Sequence, residues 1–332
     1  MKICICGGGN LGHVCGGFLA NRGHQVSILT TKPERWCPEL EIIAPDKTFT
    51  GKLALVTSKP ADAIPQAEMV LVCLPGYAIH DELVNIRPYL SKRCIVGTVV
   101  SSTGFFFEAV DVLPSDIPLF GFQRVPFISR TIDYGKKAEL KGYKETLHVA
   151  IEHTQEKEAI REGLERLFEK PVSLAESFYE VSLSNSNPLL HPSRLYTMWK
   201  NWKPGVVYPR NPMFYAEWTL EASMLLIQMD DEFQHLLEAL GLSPGCIPTI
   251  LDYYESQDEV SLTQKLHDIR AFQGILSPMK EVEGGFIPDF TSRYFTEDFP
   301  YGMRFIIETA HKQKIAIPTI ETVYQWGLSK IR

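Results

Sequence analysis

Three stretches of the chain hold groups whose types and spacing could do chemistry. The first, Gly7-Gly8-Gly9-Asn10-Leu11-Gly12, fits G-x-G-x-x-G through Gly7, Gly9 and Gly12. Between a strand and a helix, the first glycine makes the tight turn and the second lets the backbone approach a pyrophosphate. The third lets the helix pack close to the strand. The helix start, at Asn10 and Leu11, would add free N–H groups and the positive end of the helix dipole. The second stretch, Ser184-Asn185-Ser186-Asn187-Pro188-Leu189-Leu190-His191-Pro192, is polar and proline-punctuated. It holds His191 in a segment that its prolines restrict. Histidine titrates in the range that proton transfer needs, although a lone histidine is more often structural. The third stretch, from Ser292 to Gly302, offers Arg293, two carboxylates and two tyrosines just before a helix. A guanidinium can clamp a carboxylate in a plane. Read alone, Arg293 is a surface charge and Asp298 a residue near a helix N-cap.

The elements that must position these groups differ between the two halves. Short apolar runs alternate with amphipathic stretches up to about residue 175. Lys2–Cys6, Gln25–Thr30, Leu53–Thr57, Glu68–Leu74, Arg93–Val100 and Leu119–Phe122 read as strands. So do Lys136–Leu140 and Thr146–Glu152. Near-continuous apolar strands separated by helices predict a parallel sheet covered on both faces. From Ser177 onward strand runs disappear. Residues 218–240, 249–254, 260–271, 301–311 and 320–331 read as helices. The expectation is an α/β chain: a Rossmann-type dinucleotide-binding domain over 1–176 and an all-α substrate and catalytic domain over 177–332. Tyr196, Trp199, Trp202 and Tyr208 read as core or as a cavity wall. Asp230-Asp231-Glu232 reads as solvated helix surface.

The end of the second strand bears on the choice of cofactor. NAD sites usually place a carboxylate there. This chain has Thr30-Thr31, followed by Lys32 and Arg35. Hydroxyls and cations suit a 2′-phosphate, so NADP is expected, with NAD as the alternative. Leu74-Pro75 ends the fourth apolar run at the sheet edge where such loops line a cofactor crevice.

Composition excludes several classes. Lys and Arg total 33 against 40 Asp and Glu, a net charge of −7, which argues against a nucleic-acid surface. No apolar run reaches the roughly 18 residues a spanning helix needs, so no membrane partner is expected. The start of the sequence lacks the pattern of a signal peptide. Seven cysteines without paired zinc spacing point to a reducing cytoplasm and to no metal site. Small molecules are the expected partners, and a homodimer stays an open expectation.

GGGNLGH, LPGYA, SNSNPLLHP and RYFTEDFPYG occur in the order found in opine dehydrogenases, and the chain resembles that octopine/nopaline dehydrogenase family over nearly its whole length. The resemblance implies a dinucleotide-binding domain joined to a helical one. It also implies reductive condensation of an amino acid with a 2-oxo acid, through an imine, at the expense of NADH or NADPH. The family's catalytic histidine falls on His191 and its acid partner on Asp298. Its substrate arginine falls on Arg293 and its substrate-side asparagine on Asn187. Where many members have Glu-Thr-Leu-Pro-Trp, this chain has Gln123-Arg124-Val125-Pro126-Phe127. Arg124 there reads as a holder of an extra substrate carboxylate or as a solvent-facing residue. Two other readings stand beside this one: a related two-domain reductase of a 2-oxo or 2-hydroxy acid with no amine substrate, and a dinucleotide-binding sensor.

Overall fold

A computed structural model of the chain describes residues 1–331, which form two compact units, Met1–Ser184 and Asn185–Arg332. The first unit opens with β1 (Lys2–Cys6), α1 (Asn10–Asn21), β2 (Gln25–Leu29), β3 (Glu39–Ile43), β4 (Thr48–Lys52) and β5 (Leu55–Thr57). It continues with α2 (Pro60–Ala63), β6 (Met69–Val72), α3 (Gly76–Ile86), β7 (Ile95–Thr98), α4 (Phe105–Val112) and β8 (Leu119–Phe122). It closes with β9 (Phe127–Asp133), β10 (Lys137–Tyr143), β11 (Leu147–Glu152), α5 (Lys157–Phe168), β12 (Val172–Leu174) and α6 (Phe178–Leu183).

Eight strands form the main sheet in the order β12-β11-β8-β7-β6-β1-β2-β5. The pairs are parallel except β11 with β8. The side-chain period of two sorts β1 between two cores. Ile3 and Ile5 join Val14 and Phe18 of α1, while Cys4 and Cys6 join Val70, Val72, Leu83 and Phe105 on the opposite face. Both faces are thus covered, and the cysteines act as small hydrophobes.

A second sheet, β4-β3-β10-β9, lies against α1. The sequence reading found only β10 of these four strands. β3 and β4 are half-buried, and Ile128 and Ile132 of β9 point outward, so the apolar pattern is diluted. Gly17 lets Ile42 press onto the helix. The sequence boundary at 176/177 lies short of the division after Ser184. Helix α6 stays with the sheet, because buried Glu180 accepts a hydrogen bond from His148 of β11 and one from the Glu176 backbone.

The second unit contains α7 (Asn187–Trp199), α8 (Leu220–Ala239), α9 (Ile250–Tyr253), α10 (Glu259–Asp268) and a hairpin of β13 (Met279–Val282) with β14 (Gly285–Pro288). There follow α11 (Arg293–Thr296), a π-helical turn over Phe299–Met303, α12 (Arg304–Gln313) and α13 (Pro318–Leu328). Apart from the hairpin and two isolated bridges, its regular structure is helical. Two readings need correction. The stretch around His191, which reads as proline-punctuated, is a helix: Pro188 sits in the first turn, where its missing N–H costs nothing. Pro192 forgoes one ladder bond in a segment otherwise held by the buried Leu189, Leu190, Leu195 and Trp199. Asp230 and Glu232 are not solvated surface. Asp230 is buried and accepts the Ile250 N–H at 2.8 Å, and Glu232 accepts the Thr319 and Ile320 N–H groups, so one helix caps α9 and α13.

Candidate active site

His191 and Asp298, 107 positions apart, meet inside the second unit: Nδ1 of the histidine lies 2.7 Å from Oδ2 of the aspartate. The carboxylate can only accept, so Nδ1 carries a hydrogen, and in the neutral ring Nε2 keeps its lone pair. The Tyr215 hydroxyl, 2.8 Å away, donates to that lone pair. The ring's flanks are covered by Tyr294 at 4.6 Å and Phe214 at 5.9 Å between centroids. His191 is 9% exposed.

Each partner is held by a separate local device. Asp298 immediately precedes the π turn, which seats against α7 because Gly302 lets Pro188 approach; a Cβ there would stand 2.6 Å from Pro188 Cγ. Tyr215 lies in a turn that Arg194, one helical turn beyond His191, grips from α7. Its guanidinium donates to the Glu217 carbonyl at 2.5 Å and to the Thr219 hydroxyl at 3.3 Å. Burial lowers the Arg194 pKa to about 10, which leaves it charged at neutral pH. The Tyr215 ring stacks on Phe272 at 4.0 Å. Burial, and then the neighbouring Tyr294, push the Tyr215 phenol well above its usual range.

The remaining substrate-side candidates are placed as follows. Arg293 is exposed on α11 and grips Glu297 through Nε and Nη2, both at 2.8 Å. Asn187, half-buried, opens α7 one turn before His191, with its backbone N–H on Asn185 Oδ1. Arg124 belongs to the first unit and donates to the Ser184 carbonyl at 3.0 Å.

The glycine turn of the first unit behaves as its spacing demands. Gly7 has φ +122, a backbone reserved for glycine. A Cβ on Gly12 would strike the Gly7 carbonyl, whereas at Gly9 nothing lies within 4 Å, so that backbone faces open space. The first-turn N–H groups of α1 have no partner within the helix. An adjoining cavity of about 180 Å³ is lined by Gly7, Gly8, Thr30, Thr31, Leu74 and Tyr134, among others. A nicotinamide dinucleotide fits these residues: backbone donors for the pyrophosphate, then a cavity at the end of β2 for the adenosine. The exposed Arg35 stacks on Tyr134 at 4.6 Å, and Lys32 caps the short turn that carries it. Pro75 caps α3. The side chains of two of the named residues are engaged within the fold. Asn10 Oδ1 accepts the Thr131 N–H of β9, and Leu11 packs on the core. Sequence reasoning missed Glu82 of α3, which lines the same cavity. Burial raises its pKa, and its Oε1 has no hydrogen-bond partner among the described residues.

Residues 174–330 match the family model described as "NAD/NADP octopine/nopaline dehydrogenase, alpha-helical domain", and residues 3–103 match "Ketopantoate reductase PanE/ApbA". The chain is 28% identical to octopine dehydrogenase of Pecten maximus and 29% to that of Mizuhopecten yessoensis, with 100% of this chain and 90% of each relative covered. A solved structure of octopine dehydrogenase with NADH and L-arginine superposes with a TM-score of 0.86, at 28% identity, over 100% of this chain and 89% of that one. Over its whole length the chain is similar to octopine dehydrogenases. It is an NAD(P)-dependent oxidoreductase acting on small molecules.

The sequence signals for these residues are uneven. SNSNPLLHP and RYFTEDFPYG point to His191 and Asp298 from the sequence alone. Tyr215 sits in Asn-Pro-Met-Phe-Tyr-Ala-Glu-Trp, where it looks like one more core aromatic. Glu82 looks like any helix-surface carboxylate, because nothing local shows that its face of α3 borders the cavity.

Proposed function

We propose that the chain forms opines, joining the amine of an amino acid to a 2-oxo acid and reducing the resulting imine, with NADPH preferred and NADH as alternative. The observation that carries this reading is the buried His191 with a carboxylate on one nitrogen and a hydroxyl on the other. When bound, the reduced nicotinamide supplies the hydride. The chain's own work is protonic. His191 takes a proton from the attacking amine and returns it to the departing hydroxyl. Asp298 holds the tautomer and stabilises the charged ring. Arg293 takes a substrate carboxylate in place of Glu297, Asn187 helps to orient that substrate, and Arg124 receives a second carboxylate.

Thr31 in the cavity wall, with Lys32 and Arg35 beside it, favours a 2′-phosphate. The seven cysteines are unpaired, in keeping with a cytoplasmic protein. A homodimer is the assembly proposed, to be read from its mass in solution.

The test is oxidation of NADPH and of NADH with pyruvate or 2-oxoglutarate, with and without a panel of amines that includes L-arginine and taurine. Amine-dependent oxidation that His191→Ala abolishes is expected. Oxidation of equal rate without any amine would replace this reading with a plain 2-oxo acid reductase.

A further inference from the structure

His191 has a single lone pair at Nε2, lying in the ring plane, and the Tyr215 hydroxyl occupies that direction at 2.8 Å. The other nitrogen is spent on Asp298, and the ring's flanks are covered by Tyr294 and Phe214. A proton that enters or leaves Nε2 therefore has one neighbour to pass through. That neighbour is a phenol, which donates and accepts at the same oxygen. It does not swing freely. Phe272 stacks on it with planes 17° apart, and Trp218 lies parallel to it on a turn that Arg194 pins to α7.

We propose that Tyr215 is the outer member of an Asp298–His191–Tyr215 relay, the group that exchanges protons with the reacting atoms. This rests on the reading of His191 as the acid–base of the condensation. As the amine nitrogen attacks the carbonyl carbon, its proton passes to the Tyr215 oxygen while the phenol's own hydrogen moves to Nε2, leaving an imidazolium. The phenol hydrogen then goes to the alkoxide oxygen, giving the carbinolamine hydroxyl, as the Nε2 hydrogen returns to the phenol oxygen. A second proton, taken from solvent onto Nε2, next passes by the same route, the phenol hydrogen going to that hydroxyl. The C–O bond breaks with its electron pair on the oxygen, which leaves as water, and the nitrogen lone pair forms the C=N bond. The Nε2 hydrogen then returns to the phenol oxygen. One proton has moved from nitrogen to oxygen and one has come from solvent, the product is the iminium ion, and nothing has been oxidised or reduced. The phenol is neutral before and after each transfer, which agrees with the burial that holds its hydrogen on.

Tyr215→Phe keeps the ring and its stacking and removes only the relay oxygen. The expected result is a fall in kcat of about 10²–10⁴-fold, the range for loss of a positioned proton-transfer group. KM for both substrates, nucleotide affinity and near-ultraviolet circular dichroism should stay within twofold of the parent. A proton inventory in H₂O–D₂O mixtures should be curved for the parent, with more than one proton in flight, and linear for the variant. A variant with parental kcat and a curved inventory overturns the relay, and so does one that raises only KM. Should the circular dichroism change, 3-fluorotyrosine placed at position 215 keeps the shape and makes the phenol more acidic. A several-fold change in kcat then supports the relay, and no change overturns it. His191→Ala, run in parallel, separates the two levels. If it is inactive while the position-215 variants are parental, only the relay falls. If it is active, the acid–base reading falls as well.

Discussion

Asp230→Asn offers a test that the energetics of one buried carboxylate decide. Asp230 is 5% exposed on α8, and burial raises its pKa from 3.8 to about 6 even though it accepts the Ile250 N–H. The start of α9 favours a negative charge, so the two effects compete, and the direction of the shift says that desolvation wins. A carboxyl that binds its proton more tightly when folded contributes stability at low pH and loses it as pH rises from about 4 through about 6. At about 1.36 kcal/mol per unit, a shift of roughly two units makes the ionised group cost about 3 kcal/mol at pH 7.5. Near pH 5, where the folded group is mostly protonated, the cost is about half as large. Asparagine keeps an oxygen for the Ile250 N–H and removes the charge. The variant should therefore unfold at a higher temperature at pH 7.5, by up to roughly 6–12 °C for a unit of this size. The gain should shrink to about half at pH 5. Thermal melts followed by circular dichroism at both pH values measure it. An equal shift at the two pH values, or a loss at pH 7.5, would show that charge burial is not what limits this site.

Asp298→Asn should preserve the shape of the pair yet release the Nδ1–H tautomer, lowering amine-dependent turnover by about 10²–10⁴; steady-state kinetics with the nucleotide saturating read this, and parental kcat would remove the aspartate from the mechanism. Alanine at both Lys32 and Arg35 should weaken NADPH binding by about 1.5–3 kcal/mol for each charged hydrogen bond lost, and NADH binding far less. Calorimetric titration of both nucleotides checks this, and equal losses would refute a 2′-phosphate site. Gly12→Ala places a Cβ against the Gly7 carbonyl, so nucleotide binding should be lost while the second unit's helices still form. Retained affinity would mean that the turn can yield.

Legibility in the sequence followed how local each signal is. The cradle was readable because Gly7, Gly9 and Gly12 meet their requirements within six residues, and the main strands because their apolar runs are continuous. The small sheet was not, because its residues are half-buried and its partners are remote: β3 pairs β10 across nearly a hundred positions. Helix α7 was hidden by its two prolines, which local rules read as punctuation, while burial of Leu189, Leu190, Leu195 and Trp199 decided the outcome. Asp230 and Glu232 looked like surface because capping partners on α9 and α13 cannot be seen from α8 alone. The role of Arg293 illustrates the same limit from the other side. Its motif suggested a carboxylate clamp, and in the structure the carboxylate it holds is the neighbouring Glu297.

The separation of His191 from Asp298 bears on how such an enzyme can diversify. His191 and Asp298 stand at opposite ends of a 107-residue span, each fixed by its own device, α7 for one and the glycine-seated π turn for the other. Much of what lies between them, including the segment from Gly205 to Pro212 and the β13–β14 hairpin, is irregular or only two strands wide. Lengthening a flexible connection is thermodynamically mild, about 0.6 kcal/mol for each doubling. Insertions and deletions there can accumulate across generations of descendants while the His191–Asp298 contact is kept. The exceptions are the turn that holds Tyr215 and the Arg194 grip on it, which tie one short piece of that span to the chemistry and should vary least in length.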